Sequence, residues 1–302
     1  MSTQFQEIPG SEHWTSVKAI YKGWSDDQKY RITTQYQSYL LRISAGSRFN
    51  ERKKEFEMLQ KLQGIGASPV AFGTCGKGKN CYTLMTWIDG EEASKVLPAL
   101  SAAEQYRLGY EAGQIMKKIH TIPAPESQQP WLPFYQQKID RKLLAYQKCA
   151  MSVEGAAETI AFIQSQRGLL TERPQSLQHG DFHCGNMIVT KKKTIGIIDF
   201  DRIDFGDPWE EFNRITWCAN VSPAFATGRI NGYFNDHIPN GFFPCMALYI
   251  ATNMISSIPW SIDYGEQQIN VMKREIKQTL DAYHYFHTLI PRWYQPPEQL
   301  LK

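Results

Sequence analysis

The sequence predicts an α+β protein of two lobes, a β-rich N-terminal lobe carrying one main helix and a larger, mostly helical C-terminal lobe. Three observations predict it. Residues 16–21, 29–34 and 37–44 are rich in β-branched and aromatic side chains, and the turn formers Gly23, Ser25, Asp26 and Asp27 stand between the first two. After Asp89-Gly90-Glu91 the apolar residues take up helical spacing. Late in the chain, Met187-Ile188-Val189 and residues 195–198 form two short apolar runs around Lys191-Lys192-Lys193, the pattern of a tight hairpin.

In order, the three strand-like runs lead into a helix over residues 47–63, with Phe56, Leu59 and Leu62 on one face and Gly64 just past its end. Strands over 74–82 and 83–88 complete a five-stranded sheet. In the second lobe, Leu108, Ala112, Ile115 and Ile119 mark a helix over 103–120. Four prolines (Pro123, Pro125, Pro130 and Pro133) predict irregular structure over 121–135. Helices are expected over 136–170 and again from Pro208 onward. The most apolar stretch, 242–260, is interrupted by Pro244, Asn253 and Pro259 and reads as a buried helix, not a membrane span.

Composition narrows the class. At 302 residues, with 42% hydrophobic and 21% charged residues, the chain is an ordinary globular protein long enough for a sizeable core. A net charge of +3 is too small to imply a nucleic-acid partner. The two basic runs, Arg52-Lys53-Lys54 and Lys191-Lys192-Lys193, read as solvated faces or turns. The six cysteines form no Cys-x-x-Cys, and residues 1–10 carry no basic segment leading into an apolar run. The expectation is a cytoplasmic protein with reduced thiols, no membrane and no evident protein partner.

The chemistry concentrates in residues 179–189, His-Gly-Asp-Phe-His-Cys-Gly-Asn-Met-Ile-Val, followed by Ile197-Ile198-Asp199-Phe200-Asp201. A hairpin of two short strands would bring the loop before the first close to the end of the second, so Asp181, Asn186 and Asp199 can converge. Their hard oxygen donors suit Mg²⁺ arriving on a polyphosphate better than Zn²⁺. A zinc hydrolase built on His179, Asp181 and His183 is the rival, but Gly180 and the central Asp argue for a turn over the zincin helix.

The spacing Asp181-x-x-x-x-Asn186 is that of the protein-kinase catalytic loop, although Gly180 stands where a protein kinase has Arg. The string His179-Gly180-Asp181-x-His183-x-Gly185-Asn186, with Ile198-Asp199-Phe200 and Gly206-Asp207-Pro208, resembles the aminoglycoside phosphotransferase family. That family is the small-molecule branch of the kinase fold, with choline, homoserine and fructosamine kinases as relatives. The resemblance implies a bilobal protein-kinase-like fold: residues 1–86 as nucleotide lobe, 87–302 as catalytic and acceptor lobe, and a hinge at 87–91.

It also implies roles. Asp181 takes the acceptor's proton, and Asn186 and Asp199 hold Mg²⁺. Gly23 and Ser25 lie where a kinase covers the nucleotide phosphates. Arg42 stands where the family usually has a strand lysine, with Glu55 as its helix partner and Glu57 as the fallback. Thr86, Trp87 and Ile88 fall at the purine-binding hinge, by position only. His179 packs the loop, His183 is free to touch the acceptor, Asp207 ties down amides under the loop, and Glu211 replaces a common Asp.

The implied reaction moves the γ-phosphoryl group of ATP or GTP to a hydroxyl of a small molecule, an aminoglycoside or related antibiotic first. A metabolic kinase of a sugar or amino alcohol and a non-catalytic, pseudokinase-like binding protein are the alternatives. Gly206 follows Asp199 by only seven positions, which leaves no room for a protein-kinase activation segment. A polycationic acceptor would need carboxylates around Asp181, for which Asp201, Asp204, Glu210, Asp263 and Glu266 are the candidates. Trp209, Trp217 and Trp260 read as core before sugar-stacking surfaces.

Overall fold

The computed structural model describes residues 3–21 and 26–300. The chain divides into two compact units: Met1–Gly90 with Thr190–Lys192 and Gly196–Asp201, and Glu91–Val189 with Lys193–Ile195 and Arg202–Lys302.

The first unit holds α1 (Thr3–Gln6), β1 (Trp14–Ile20), β2 (Gln28–Thr34), β3 (Ser38–Ala45), α2 (Phe49–Lys61), β4 (Pro69–Cys75) and β5 (Asn80–Thr86). Its five strands pair antiparallel in the order β1-β2-β3-β5-β4. One core forms from Phe5, Ile8 and Trp14 with Ile32, Leu41, Ile43, Tyr82 and Leu84. Because side chains alternate along a strand, Leu41 and Ile43 enter this core while Arg42 projects from the other face. The strands expected at 74–82 and 83–88 are displaced: β4 begins at Pro69, and the chain reverses at residues 76–79. Gly76, Lys77 and Gly78 take φ of +63°, +57° and +76° there. A strand through this segment would hold both glycines extended, whereas the reversal uses the left-handed backbone they permit.

The second unit is mostly helical. It contains β6 (Gly90–Glu92, whose first residue belongs to the other unit), α3 (Ala93–Val96), α4 (Ala102–Ile119), α5 (Trp131–Lys148), α6 (Ala156–Gln166) and β7 (Ser176–Gln178). The chain passes between the units along β8 (Met187–Thr190) and β9 (Ile195–Ile197), with Lys191, Lys192 and Lys193 exposed at the turn joining them. Then come β10 (Asp204–Gly206), α7 (Ile215–Val221), α8 (Pro223–Phe234), α9 (Phe242–Ile262), α10 (Glu266–Tyr283) and α11 (Pro297–Leu300). β7 and β10 pair antiparallel.

Helix α4 starts on a capping box, in which the Ser101 hydroxyl accepts the Glu104 amide and Glu104 reaches back to the Ser101 amide. Helix α5 starts earlier than the prolines suggest, because Pro130 is its N-cap and Pro133 sits in its first turn, where no intrahelical N–H is required. Helix α9 is long and apolar enough to cross a membrane by length and composition, yet 67% of its apolar window is buried. It packs on α5, α6 and α10.

Glycines bring α4 and α8 into backbone contact. A Cβ on Gly109 or Gly113 would stand 2.0 Å or 2.2 Å from the carbonyl oxygens of Phe225 or Arg229. A Cβ on Gly228 or Gly232 would meet those of Tyr106 or Tyr110 at 2.2 Å or 2.0 Å. No side chain larger than hydrogen fits at these four positions unless the helices part. Gly228→Val should therefore cost about 2–4 kcal/mol in denaturant unfolding, while Gly241→Ala, in open space, should stay within about 0.5 kcal/mol. Equal stabilities for the two variants would show that the crossing can widen freely.

Candidate active site

The loop leaving β7 is fixed by one buried carboxylate. Glu211 Oε2 accepts the His179 amide at 2.6 Å, and its Oε1 accepts the Gly180 amide at 2.9 Å. His120 Nε2 lies 3.4 Å from the same Oε2. Burial works to raise the Glu211 carboxyl, but the hydrogen bond and charge of His120, with the His179 amide, hold it below the usual carboxylate range. Asp207, expected to hold these amides, does something else. It accepts the Arg173 fork at 2.6 Å and 2.9 Å, the Tyr249 hydroxyl at 2.5 Å and the Trp209 amide at 3.0 Å. Glu211 does the job expected of Asp207.

Gly180 takes φ +79°, and a Cβ there would stand 2.0 Å from the Arg202 carbonyl oxygen. This is why the arginine of protein kinases has no counterpart here: the loop turns through a left-handed residue pressed against backbone. Arg229 of α8, wholly buried, donates to the carbonyls of Phe182 at 2.8 Å and Glu211 at 3.0 Å, clamping the loop from below. Sequence reasoning missed Arg229; its only signal is a lone arginine in the apolar helix α8.

Oδ1 of Asp181 is buried and accepts no hydrogen bond among the described residues. Arg214 closes on this oxygen as an ion pair, His183 Nε2 lies 3.5 Å from it, and Arg202 Nε lies 3.9 Å from Oδ2. His183 accepts the Gly185 amide at Nδ1, 3.1 Å away, so the neutral ring carries its proton on the nitrogen facing Asp181. Burial, above all, pushes the His183 imidazole down to about 4; Asp181 opposes that, and Arg214 adds to it. His179 is fully buried and takes the Asp181 amide on Nδ1 at 3.2 Å, the loop-packing role expected of it. Asn186 gives its amide nitrogen to the Asp181 carbonyl at 3.0 Å, which turns its amide oxygen the other way.

Asp199 lies in the first unit, just beyond β9. Its carboxylate is exposed and its backbone has φ +67°, a conformation that non-glycine residues adopt at a cost and often at functional positions. Among the described residues no three His, Cys, Asp or Glu side chains gather as a metal cage. The amide oxygen of Asn186, in the second unit, and the carboxylate of Asp199, in the first, are each hard donors of the kind that suit Mg²⁺.

The first unit places Arg42 and Glu55 together, with Nη2 donating to Oε2 at 2.6 Å. Glu57 is exposed and pairs with Lys53 at 3.9 Å instead. Arg42 also pairs with Asp201. The reading of Arg52-Lys53-Lys54 as a solvated run fails at its first residue. Lys53 and Lys54 are exposed, but Arg52 is 1% exposed and reaches Asp27 at 2.5 Å, Glu55 at 2.7 Å and Asp201 at 3.1 Å. Its position explains this: Arg52, Glu55 and Leu59 share the buried face of α2.

Arg48 joins the network through Asp27 at 3.0 Å, so three guanidinium groups face the carboxylates of Asp27, Glu55 and Asp201. Burial pushes the Glu55 carboxyl up against the pull of Arg42. For Asp201 the balance reverses, with Arg42 and Arg52 overcoming burial to hold it low. Gly23 and Ser25 lie outside the described residues. At the hinge, the Thr86 and Trp87 amides are engaged by the carbonyls of Ser68 at 2.9 Å and Ser38 at 3.2 Å.

The model of the phosphotransferase enzyme family matches residues 16–242, three-quarters of the chain and the whole of the loop over 179–189. The chain belongs to this family. Searching curated protein sequences finds no match. Solved structures agree on the fold. The GDP complex of a point mutant of aminoglycoside 2′-phosphotransferase-IIIa superposes with a TM-score of 0.70 at 16% identity, covering 95% of this chain and 96% of that one. A ternary complex of a thermostable APH(4)-Ia mutant with AMP-PNP and hygromycin B gives 0.66 at 14% identity, over 93% and 98%. The gentamicin complex of APH(2″)-IIa gives 0.58 at 19%, over 88% and 92%. The fold is thus the kinase-like α+β fold of the aminoglycoside phosphotransferases.

The carboxylates considered for a polycationic acceptor do not form a cluster in this phosphotransferase. Asp201 belongs to the arginine network of the first unit, and Glu210 is paired with Lys138 at 2.8 Å. Asp204, Asp263 and Glu266 are exposed. Of the tryptophans, Trp209 packs edge-on to Phe234 and Phe242 beneath Arg173. Trp217 is half-buried 5.2 Å from the His183 ring, and Trp260 is exposed against Tyr264.

The depressed His183 imidazole has a stability consequence. An unfolded histidine titrates near 6.5, so between that value and about 4 the unfolded chain binds the extra proton. The contribution is complete above about pH 6.5 and is lost as pH falls toward about 4. Between about pH 8 and pH 5, His183→Gln should lose less melting temperature than the parent protein. Identical losses would mean that His183 titrates normally in the folded phosphotransferase.

Proposed function

We propose that this phosphotransferase moves the γ-phosphoryl group of ATP or GTP to a hydroxyl of a small molecule. The observation carrying the reading is Asp181: a loop pinned by Glu211 and Arg229 holds its Oδ1 out of water, with Arg214 ion-paired to it. Where Arg214 gives way, that oxygen accepts the proton of an incoming hydroxyl. The acceptor oxygen bonds to the γ-phosphorus as the bond from phosphorus to the β–γ bridging oxygen breaks. The nucleoside diphosphate leaves with that electron pair, and the hydroxyl proton passes to Asp181.

Asn186 and Asp199 are the residues that would hold Mg²⁺, which when bound neutralises phosphate oxygens. Arg42, seated by Glu55, steadies the phosphates, a role that the family resemblance also gives to Gly23 and Ser25. Thr86, Trp87 and Ile88 take the purine through backbone groups. With the Thr86 and Trp87 amides engaged, Ile88 supplies the amide on this stretch without a partner among the described residues. The nucleotide and antibiotic complexes of the solved relatives support a triphosphate donor and a small-molecule acceptor. Six free cysteines support a reducing compartment such as the cytoplasm.

Asp181→Asn should keep Mg²⁺-nucleotide binding and lose at least about a hundredfold in transfer rate. Asp199→Ala should weaken Mg²⁺-nucleotide binding as well as transfer. Calorimetry on both variants, beside a coupled assay for nucleoside diphosphate, separates the roles. Transfer by Asp181→Asn at the parental rate would remove Asp181 from the chemistry.

A further inference from the structure

The charge around Asp181 points to the acceptor's own charge. On the second unit, Arg214 pairs with Oδ1, and Arg202, whose side chain is 54% exposed, lies 3.9 Å from Oδ2. Lys138 and Lys142, one turn apart on α5, face Glu210 and Arg214. Lys138 takes Glu210 at 2.8 Å, and Lys142 reaches the Thr252 carbonyl at 3.5 Å. Burial, above all, pushes the Lys142 ammonium down to about 7; Lys138 and Arg214 add to that shift and Glu210 opposes it.

The neighbouring carboxylates do not offset it. Glu211 is committed to the loop amides and Asp207 to Arg173 and Tyr249. Arg214, Arg202 and Lys138 thus stand against Asp181 and Glu210. A polyamine brought to Asp181 would meet the guanidinium groups of Arg214 and Arg202 there.

We infer that the acceptor carries an oxyanion, a carboxylate or a phosphate, besides the hydroxyl it offers, and that Arg214 with Arg202 binds it. This rests on the phosphotransfer reading and narrows its acceptor to hydroxylated anions. Arg214 bridges the two states of the site. Without an acceptor it neutralises Asp181. With one, its planar fork takes the oxyanion bidentately and frees Oδ1 for the hydroxyl hydrogen. Arg214 is a binding and positioning residue, and the proton still passes to Asp181.

Calorimetry tests this in the presence of Mg²⁺ and a non-hydrolysable triphosphate analogue, with gluconate, glucose 6-phosphate, glucose and kanamycin as probes. Gluconate or glucose 6-phosphate should bind at least about tenfold tighter than glucose or kanamycin. Whichever of the two binds better distinguishes a carboxylate from a phosphate acceptor. Arg214→Gln should erase the preference and Arg214→Lys restore part of it. Arg202→Gln, on an exposed side chain, should weaken anion binding without risk to the fold. Kanamycin binding tighter than both anions, failure of both anions to bind, or an unchanged preference in Arg214→Gln and Arg202→Gln overturns the inference. Failure of the analogue itself to bind the parent protein strikes instead at the phosphotransfer reading.

Discussion

The pairing of Glu211 with the amides of His179 and Gly180 is the contact on which the candidate site depends. Two adjacent N–H groups point the same way only because Gly180 turns through positive φ, and that turn is open to glycine alone beside the Arg202 carbonyl. Once both amides are held, the direction of Asp181 is set, with its own amide on His179. Arg229 closes the arrangement by donating to the carbonyls of Phe182 and Glu211. A buried carboxylate satisfied by two amides and a histidine is rigid because any departure strands a charge out of water.

The first unit uses the same physics at larger scale. Arg42 and Arg52 are almost wholly buried, so each must meet carboxylates, and Asp27, Glu55 and Asp201 supply them. Replacing the usual strand lysine by Arg42 is consistent with this crowding: a guanidinium can address Glu55 and Asp201 at once from different nitrogens, which a single ammonium does less well. The network ties the strand, the helix and the segment after Asp199 into one charge-balanced block.

Much of this was legible in the sequence because it is local. The first three strands, the helix carrying Glu55 and the loop from His179 to Asn186 follow from short-range patterns, whereas the Arg42–Glu55 pair came from the family resemblance. The reversal at residues 76–79 was missed because β-branched residues on either side hid two turn-forming glycines. Arg52 was misread from its lysine neighbours, although its spacing of three from Glu55 put it on the buried face. The contacts of Arg214 and Arg229, and the placing of Glu211 instead of Asp207 on the loop amides, depend on tertiary packing. No local pattern encodes that.

Phosphorus NMR of the wild-type protein with Mg²⁺, ATP or GTP and hydroxylated small molecules reads most directly whether the Asp181 loop carries phosphoryl transfer. The predicted result is a phosphate-ester resonance growing in step with nucleoside diphosphate, on a product heavier than its parent by about 80 daltons, one HPO₃. Triphosphate that persists unchanged, or that breaks down to inorganic phosphate alone, would contradict it.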